Sequence, residues 1–127
     1  MAYLFDTNIF LEILLNQHKK DQAKKLIAEN VDNFFISDFS LHSIGVILMK
    51  QKRFDIFRDF IDDLIPFVTI LSLPQNKYSL VSEIGEKYNL DFDDSYQVII
   101  AKENKLTIVT MDKDFDKVKS YISTKFF

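Results

Sequence analysis

The stretch Y-L-F-D-T-N-I-F-L-E-I-L, residues 3–14, contains the pattern that decides the fold. Its first three residues are an apolar run typical of a short buried strand. The polar residues 6–8 follow, and their side chains are of the kind that cap helices. Apolar residues then repeat at helical spacing to the end of the stretch. A strand that leads directly into a helix predicts the first unit of an α/β fold.

The rest of the chain repeats this alternation. Further strands are predicted at residues 34–37, 67–73 and 106–110, with an edge strand at 121–127. Helices are predicted over residues 18–30, from a cap at Asp38 or Ser40 to about 52, over 54–64, over 75–88, and from a cap at Asp93 or Asp94 to 101. The alternation predicts one domain, residues 1–127, in which a parallel β-sheet carries helices on both faces.

Composition narrows the function classes. The chain has 127 residues, of which 47% are hydrophobic, so it can form a packed core. It has no cysteine, which excludes disulfides and thiolate metal sites and fits a cytoplasmic protein. No apolar run approaches the length of a membrane span. The net charge of −3 argues against a general basic nucleic-acid binder, but a nuclease stays possible because bound cations reverse the local field.

Acidic residues follow apolar runs at three distant places in the sequence: Asp6, the pair Asp93 and Asp94, and Asp112. Each lies where a strand ends or a helix begins, and ligands of open α/β sheets bind outside the carboxyl ends of the strands. Carboxylates gathered there repel one another unless a cation neutralises them, and hard divalent ions such as Mg²⁺ prefer oxygen ligands. The pattern therefore predicts a metal site. The alternative for each single aspartate is ordinary helix capping.

Small polar residues accompany these aspartates. Asn8 and Thr110 are candidates to orient the ligands of a metal, and ordinary capping is the alternative for both. Asp114 follows Asp112 closely, and we interpret Asp114 as structural and Asp112 as functional. His42 is interpreted as a packed or surface residue. The chain has only two glycines and therefore no glycine-rich phosphate loop.

Two segments together resemble the PIN-domain family of metal-dependent ribonucleases. L-F-D-T-N-I-F, residues 4–10, is similar to the first-strand motif of that family. Residues 93–115, D-D-S-Y-Q-V-I-I-A-K-E-N-K-L-T-I-V-T-M-D-K-D-F, are similar to its later motif. The resemblance covers essentially the whole chain. It implies a parallel sheet between helices, an acidic pocket for Mg²⁺ or Mn²⁺, an RNA substrate, and a VapC-like toxin held inactive by an antitoxin protein, often as a homodimer.

The chain departs from the family at one place. The family usually has a glutamate on the helix after the second strand, and the resemblance aligns Ser43 with that position. Serine is uncharged and shorter, so one ligand is missing from the expected set. Asp38, Asp93 and Glu12 are candidates to compensate, and we choose Asp93 as the auxiliary carboxylate. Weaker metal binding, altered specificity and lost activity are all possible consequences.

These observations favour a Mg²⁺- or Mn²⁺-dependent ribonuclease with Asp6, Asp94 and Asp112 as metal ligands. The first alternative is a catalytically weakened PIN-like module that binds RNA or a protein partner, which the serine at position 43 favours. A receiver domain or a phosphatase on a similar sheet is disfavoured. A receiver needs an acidic pair after the first strand, and a phosphatase needs a second aspartate where Asn8 stands.

Overall fold

The sheet is parallel throughout, as predicted. A computed structural model describes residues 2–127, and Met1, which the predicted domain includes, lies outside the described residues. The strands are β1 (Tyr3–Phe5), β2 (Phe34–Ser37), β3 (Thr69–Leu71), β4 (Thr107–Thr110) and β5 (Thr124–Phe126). Their order across the sheet is β3-β2-β1-β4-β5, and every neighbouring pair is parallel.

Helices cover both faces of this sheet, which confirms the predicted architecture. They are α1 (Thr7–Leu14), α2 (Lys20–Glu29), α3 (Asp38–Lys50), α4 (Phe54–Asp63), α5 (Tyr78–Tyr88) and α6 (Phe92–Asn104). Neighbouring residues of a strand point to opposite faces. Leu4 accordingly joins the core formed with α5 and α6, whereas Phe5 joins the core formed with α1, α3 and α4. None of these helices is both long and apolar enough to cross a membrane, as judged over residues 2–127.

Several predicted boundaries were too generous, including those of β4, β5 and α5 by one to three residues at one or both ends. Helix α2 begins at Lys20 rather than at residue 18. Strand β3 is limited to Thr69–Leu71, because Ile65–Phe67 form a 3-10 turn with Pro66 in its first positions. Proline fixes the backbone φ angle and suits such a turn, so the apolar run around residue 67 does not begin as a strand. The predicted edge strand is confirmed as β5 beside β4.

Two predicted helix caps were wrong for a shared reason. Ser37, not Asp38 or Ser40, caps α3, and its hydroxyl accepts a hydrogen bond from the backbone N–H of Ser40 at 3.0 Å. Asp91, rather than Asp93 or Asp94, caps α6 by accepting from the backbone N–H of Asp94 at 2.9 Å. Both helices start earlier than predicted. The residues chosen as caps therefore lie inside the first turn, where their side chains are free for other contacts.

The chain order creates a crevice at the centre of the sheet. From β1 the chain proceeds through β2 to β3 on one side, and it later returns through β4 to β5 on the other side. Strands β1 and β4 are neighbours at this reversal. In open α/β sheets, ligands bind outside the carboxyl ends of the strands at such a point. Asp6 and Asp112 follow the two strands that flank it.

Candidate metal site

A cavity of about 280 Å³ gathers most of the residues predicted from sequence. It is lined, among others, by Asp6, Asn8, Ser43, Asp93, Asp94 and Asp112. Strand β1 and helix α1 bring the first two, α3 brings the serine, α6 brings the adjacent pair, and the end of β4 brings the last. Thr110 contributes from behind the cavity wall, since its hydroxyl donates a hydrogen bond to Asp6.

Asp6 is both a helix cap and a wall of the cavity. Its Oδ1 accepts from the backbone N–H of Thr7 at 2.8 Å, and its Oδ2 accepts from the Thr110 hydroxyl at 2.8 Å. Burial raises the pKa of Asp6, and the hydrogen bonds from Thr110 and Thr7 oppose that rise. The two roles considered for this residue are thus compatible, because capping uses only one of its oxygens.

Three carboxylates lie close enough together to share one ion. Asp94, Asp112 and Asp114 each offer an oxygen atom, and these atoms all lie within 4.8 Å of one another. Ligands on opposite sides of one Mg²⁺ ion are separated by about 4.2 Å. The donor set, made of hard carboxylate oxygens, therefore fits Mg²⁺ or Mn²⁺.

Asp114 belongs to this group although we interpreted it as structural. The backbone N–H of Asp114 donates to Oδ1 of Asp112 at 2.9 Å, which starts a 3-10 helix over Lys113–Val118. This tight turn brings two carboxylates from one loop to the same place. Asp93, our choice for the auxiliary carboxylate, lines the cavity but is exposed and lies outside the group of three.

Asp94 feels the negative charge of the cavity most directly. Burial raises the pKa of this half-buried carboxyl group to about 7, and the charges of Asp91, Asp112, Asp6 and Asp114 contribute to the rise. Burial also raises the pKa of Asp93, and Asp91 adds to that effect. A cation at this position would reverse the repulsion, because an opposite charge within a few ångströms favours the ionised form.

Gln97 and Asp91 line the cavity but were missed in the sequence analysis. Gln97 is buried, and its amide nitrogen donates to the Ser40 hydroxyl at 2.7 Å. The Thr7 hydroxyl donates to the same oxygen at 2.8 Å. One signal for Gln97 was available, since it follows Asp94 by one helical turn, and residues at that spacing share a helix face.

The structure shows which of the candidate substitutes for the missing glutamate line the acidic cavity. Ser43 is half-buried in the cavity wall, where its side chain adds no charge. Asp38 lies elsewhere, because its Oδ1 accepts from the Tyr96 hydroxyl at 2.7 Å and the residue lines a neighbouring aromatic cavity. Glu12 is buried on α1 and does not line the acidic cavity. Of the three candidates, only Asp93 is in the wall.

Several solved structures share this fold at low sequence identity. A chain of a toxin-antitoxin complex from Klebsiella pneumoniae is 21% identical with a TM-score of 0.74, and the match covers 90% of both chains. A chain of DNA-bound VapBC from Salmonella typhimurium is 15% identical with a TM-score of 0.82, and the match covers 99% of this chain and 98% of the other. A chain of DNA-bound VapBC2 from Rickettsia felis is 17% identical with a TM-score of 0.77, and the match covers 100% of this chain and 99% of the other.

A comparison with the curated proteins finds no match. The family model of the PIN domain, in contrast, matches residues 3–121, which include every strand except β5 and all six helices. The chain therefore belongs to the PIN-domain family.

Proposed function

We propose that this protein is a divalent-metal-dependent ribonuclease and the toxin of a toxin-antitoxin pair. The observation that carries the proposal is the meeting of carboxylates from three separate chain segments in one cavity at the carboxyl ends of β1 and β4. Gathered carboxylates repel one another, so a purely structural role does not explain why they are brought together. A bound cation explains it, because it neutralises their charge. Membership of the PIN-domain family and the VapBC-type structures that share the fold support the same function.

The proposed roles follow from the position of each residue. Asp94 and Asp112 would hold a Mg²⁺ or Mn²⁺ ion, with Asp114 beside them and Asp6 held in place by Thr110. When bound, the ion would supply Lewis-acid chemistry, making water more acidic and offsetting negative charge on the scissile phosphate. Asp93 is exposed at the rim of the acidic cavity, where its carboxylate would act as the general base that accepts a proton. Asn8 is exposed and would contact the substrate or orient a ligand.

A ribonuclease assay with the purified protein tests this function. We expect cleavage of a mixed single-stranded and structured RNA pool with Mn²⁺ or Mg²⁺, and no cleavage in EDTA. Cleavage that persists in EDTA would point to a contaminating enzyme. Failure to cleave any RNA, in a preparation that binds Mn²⁺, would contradict the enzymatic function.

The second candidate is a catalytically weakened module that binds RNA or protein. Ser43 favours it, because the cavity wall lacks a carboxylate at the position of the family glutamate. Such a module would still bind RNA in a gel-shift assay but would not cleave it with either metal. The two functions are therefore separated by comparing RNA binding with RNA cleavage under the same conditions.

The proposed antitoxin partner has a suitable docking surface away from the acidic cavity. A groove of about 400 Å³ lies between α1, α2 and α4, and its wall is almost entirely apolar, with Ile13, Ile27 and Phe60 contributing. Lys24 and Asp59 also line it. An apolar groove that also contains charged residues suits the amphipathic helix of a protein partner. One structure that shares the fold is a toxin-antitoxin complex and another belongs to the VapBC family of toxin-antitoxin systems, which supports an antitoxin as that partner.

A charge placed in this groove is expected to weaken partner binding. Ala28 is exposed on α2 and lines the groove, so Ala28→Glu adds a carboxylate without removing core packing. Binding of the protein encoded by the adjacent reading frame should weaken about tenfold or more, since burying a charge against a largely apolar wall is costly. Gln22→Glu, exposed on the same helix, is the matched control. Equal co-purification with both variants would contradict the assignment.

A homodimer is the other proposed assembly. Phe39, Tyr78 and Phe92 lie around the aromatic cavity beside the acidic one, and Phe92 is 56% exposed. Exposed aromatic surface of this kind marks contacts with other proteins. Sedimentation of the purified chain at several concentrations would detect the dimer.

A further inference from the structure

Gln97 carries one of the two buried side-chain oxygens that lack a hydrogen-bond partner among residues 2–127; the other, Oε2 of Glu12, lies outside the acidic cavity. Gln97 is only 2% exposed, and its unpaired atom is Oε1. Leaving a buried acceptor unpaired is costly, because the group loses its hydrogen bond to water. Such groups are rare in native proteins, and one that lies beside a cavity can pair with a bound ligand or ion.

The other end of the same amide is firmly held. Its nitrogen donates to the Ser40 hydroxyl at 2.7 Å. This orientation leaves the oxygen without a partner among residues 2–127, on a residue that lines the acidic cavity.

Gln97 and Ser43 face the same cavity from two different helices. The side chain at position 43 is short and neutral, whereas glutamine has the length of glutamate and presents an amide oxygen instead of a carboxylate. Amide carbonyl oxygens are accepted ligands for hard divalent ions. The cavity thus has a polar oxygen available on α6 where it lacks the charged oxygen on α3.

We propose that Gln97 completes the oxygen donor set of the cavity in place of the carboxylate that is missing at Ser43. Its nitrogen is anchored on the Ser40 hydroxyl, and its unpaired oxygen is a neutral ligand for the divalent ion. The inference rests on the proposed metal-dependent function, and it explains how the site functions with one charge fewer.

The test measures Mn²⁺ affinity rather than RNA cleavage. Gln97→Met keeps the length and shape of the side chain but removes both polar atoms, so Mn²⁺ should bind about tenfold to a hundredfold more weakly. Gln97→Glu restores a charged oxygen, so Mn²⁺ should bind about tenfold more tightly than in the wild type. Each protein is first freed of metal. Its Mn²⁺ affinity is then measured by calorimetry and by the Mn²⁺ electron paramagnetic resonance spectrum. Gln22→Met is the control, because Gln22 is exposed on α2.

Thermal melting separates this role from a purely structural one. A structural glutamine would change the melting temperature of the metal-free protein and leave Mn²⁺ affinity unchanged in Gln97→Met, and that result would overturn the inference alone. If Gln97→Met fails to fold, Gln97→Glu decides, since unchanged or weaker Mn²⁺ binding in that variant also overturns it. No Mn²⁺ binding by the wild type would overturn the proposed function together with the inference.

Ser43→Glu provides a second and independent comparison. We expect this variant to bind Mn²⁺ about tenfold more tightly than the wild type, because it adds a charged oxygen to the cavity wall. If Gln97 performs the task of the missing carboxylate, the loss caused by Gln97→Met should be smaller when Ser43→Glu is also present. If Gln97→Met lowers Mn²⁺ affinity equally with and without Ser43→Glu, the two positions act independently. That result would contradict the inference that Gln97 replaces the missing carboxylate.

Discussion

Asp94→Asn is expected to lower ribonuclease activity more than about a hundredfold while the fold stays intact. Asp94 has an oxygen within 4.8 Å of those of Asp112 and Asp114, so its loss removes one charge from the three-carboxylate group. The ion contributes several kcal/mol of charge stabilisation in metal-dependent hydrolysis, and a loss of about 2.7 kcal/mol corresponds to a hundredfold in rate. Initial rates on one RNA with saturating Mn²⁺ measure the effect.

Asp116→Asn is the matched control for this experiment. Asp116 lies in the same 3-10 helix as Asp114, is exposed, and pairs with Lys119 at 3.5 Å, away from the cavity. Its activity should stay within about twofold of the wild type, because exposed ion pairs contribute little. Asp6→Asn should resemble Asp94→Asn. Full activity in either of these two variants would remove the residue from the proposed site.

The fold could be predicted from sequence because its main signals are local. The apolar run at β1, the polar residues 6–8 and the helical spacing in α1 lie within twelve consecutive residues of the sequence. The strand order could not be derived in this way, since it depends on contacts between segments that are far apart. The errors in the cap positions and in β3 are of a different kind. The true caps, Ser37 and Asp91, have neighbours that are equally good capping residues, so sequence alone does not choose between them. The apolar run around Pro66 is likewise compatible with a strand or with a turn.

The site was only partly predictable for a related reason. Aspartates at strand ends could be chosen because the carboxyl ends of parallel strands meet at one edge. Gln97 has a weaker signal, since it follows Asp94 by one helical turn but is itself followed by an apolar run in α6, which is typical of a core-facing segment. Asp114 could not be separated from Asp112 by sequence alone. Only the tight 3-10 turn after β4 brings the two carboxylates together.

The metal-free protein should lose stability as the pH rises from 4 to 8. The unfolded chain releases the Asp94 proton near its ordinary pKa of 3.8, whereas the folded protein holds it up to a pKa of about 7. Between these values the folded state binds more protons, so raising the pH favours unfolding. Burial raises the pKa of Asp6 as well, which acts in the same direction.

The expected size of this loss is about 1 to 2 kcal/mol at Asp94, because the group is half exposed and solvent screens much of the shift. Urea unfolding at pH 5 and pH 8 in EDTA measures it. Asp94→Asn, which cannot ionise, should remove most of the difference and be more stable than the wild type at pH 8, whereas Asp116→Asn should retain it.

Divalent ions should reverse this dependence, since a cation and a proton compete for the same carboxylates. Mn²⁺ should therefore bind more tightly at pH 8 than at pH 5.5 and should stabilise the wild type more strongly at the higher pH. In Asp94→Asn both effects should be reduced together. A wild-type protein whose metal-free stability rises between pH 5 and pH 8 would show that Asp94 is ionised without a cation. In that case the crowded carboxylates would not be the source of the metal affinity.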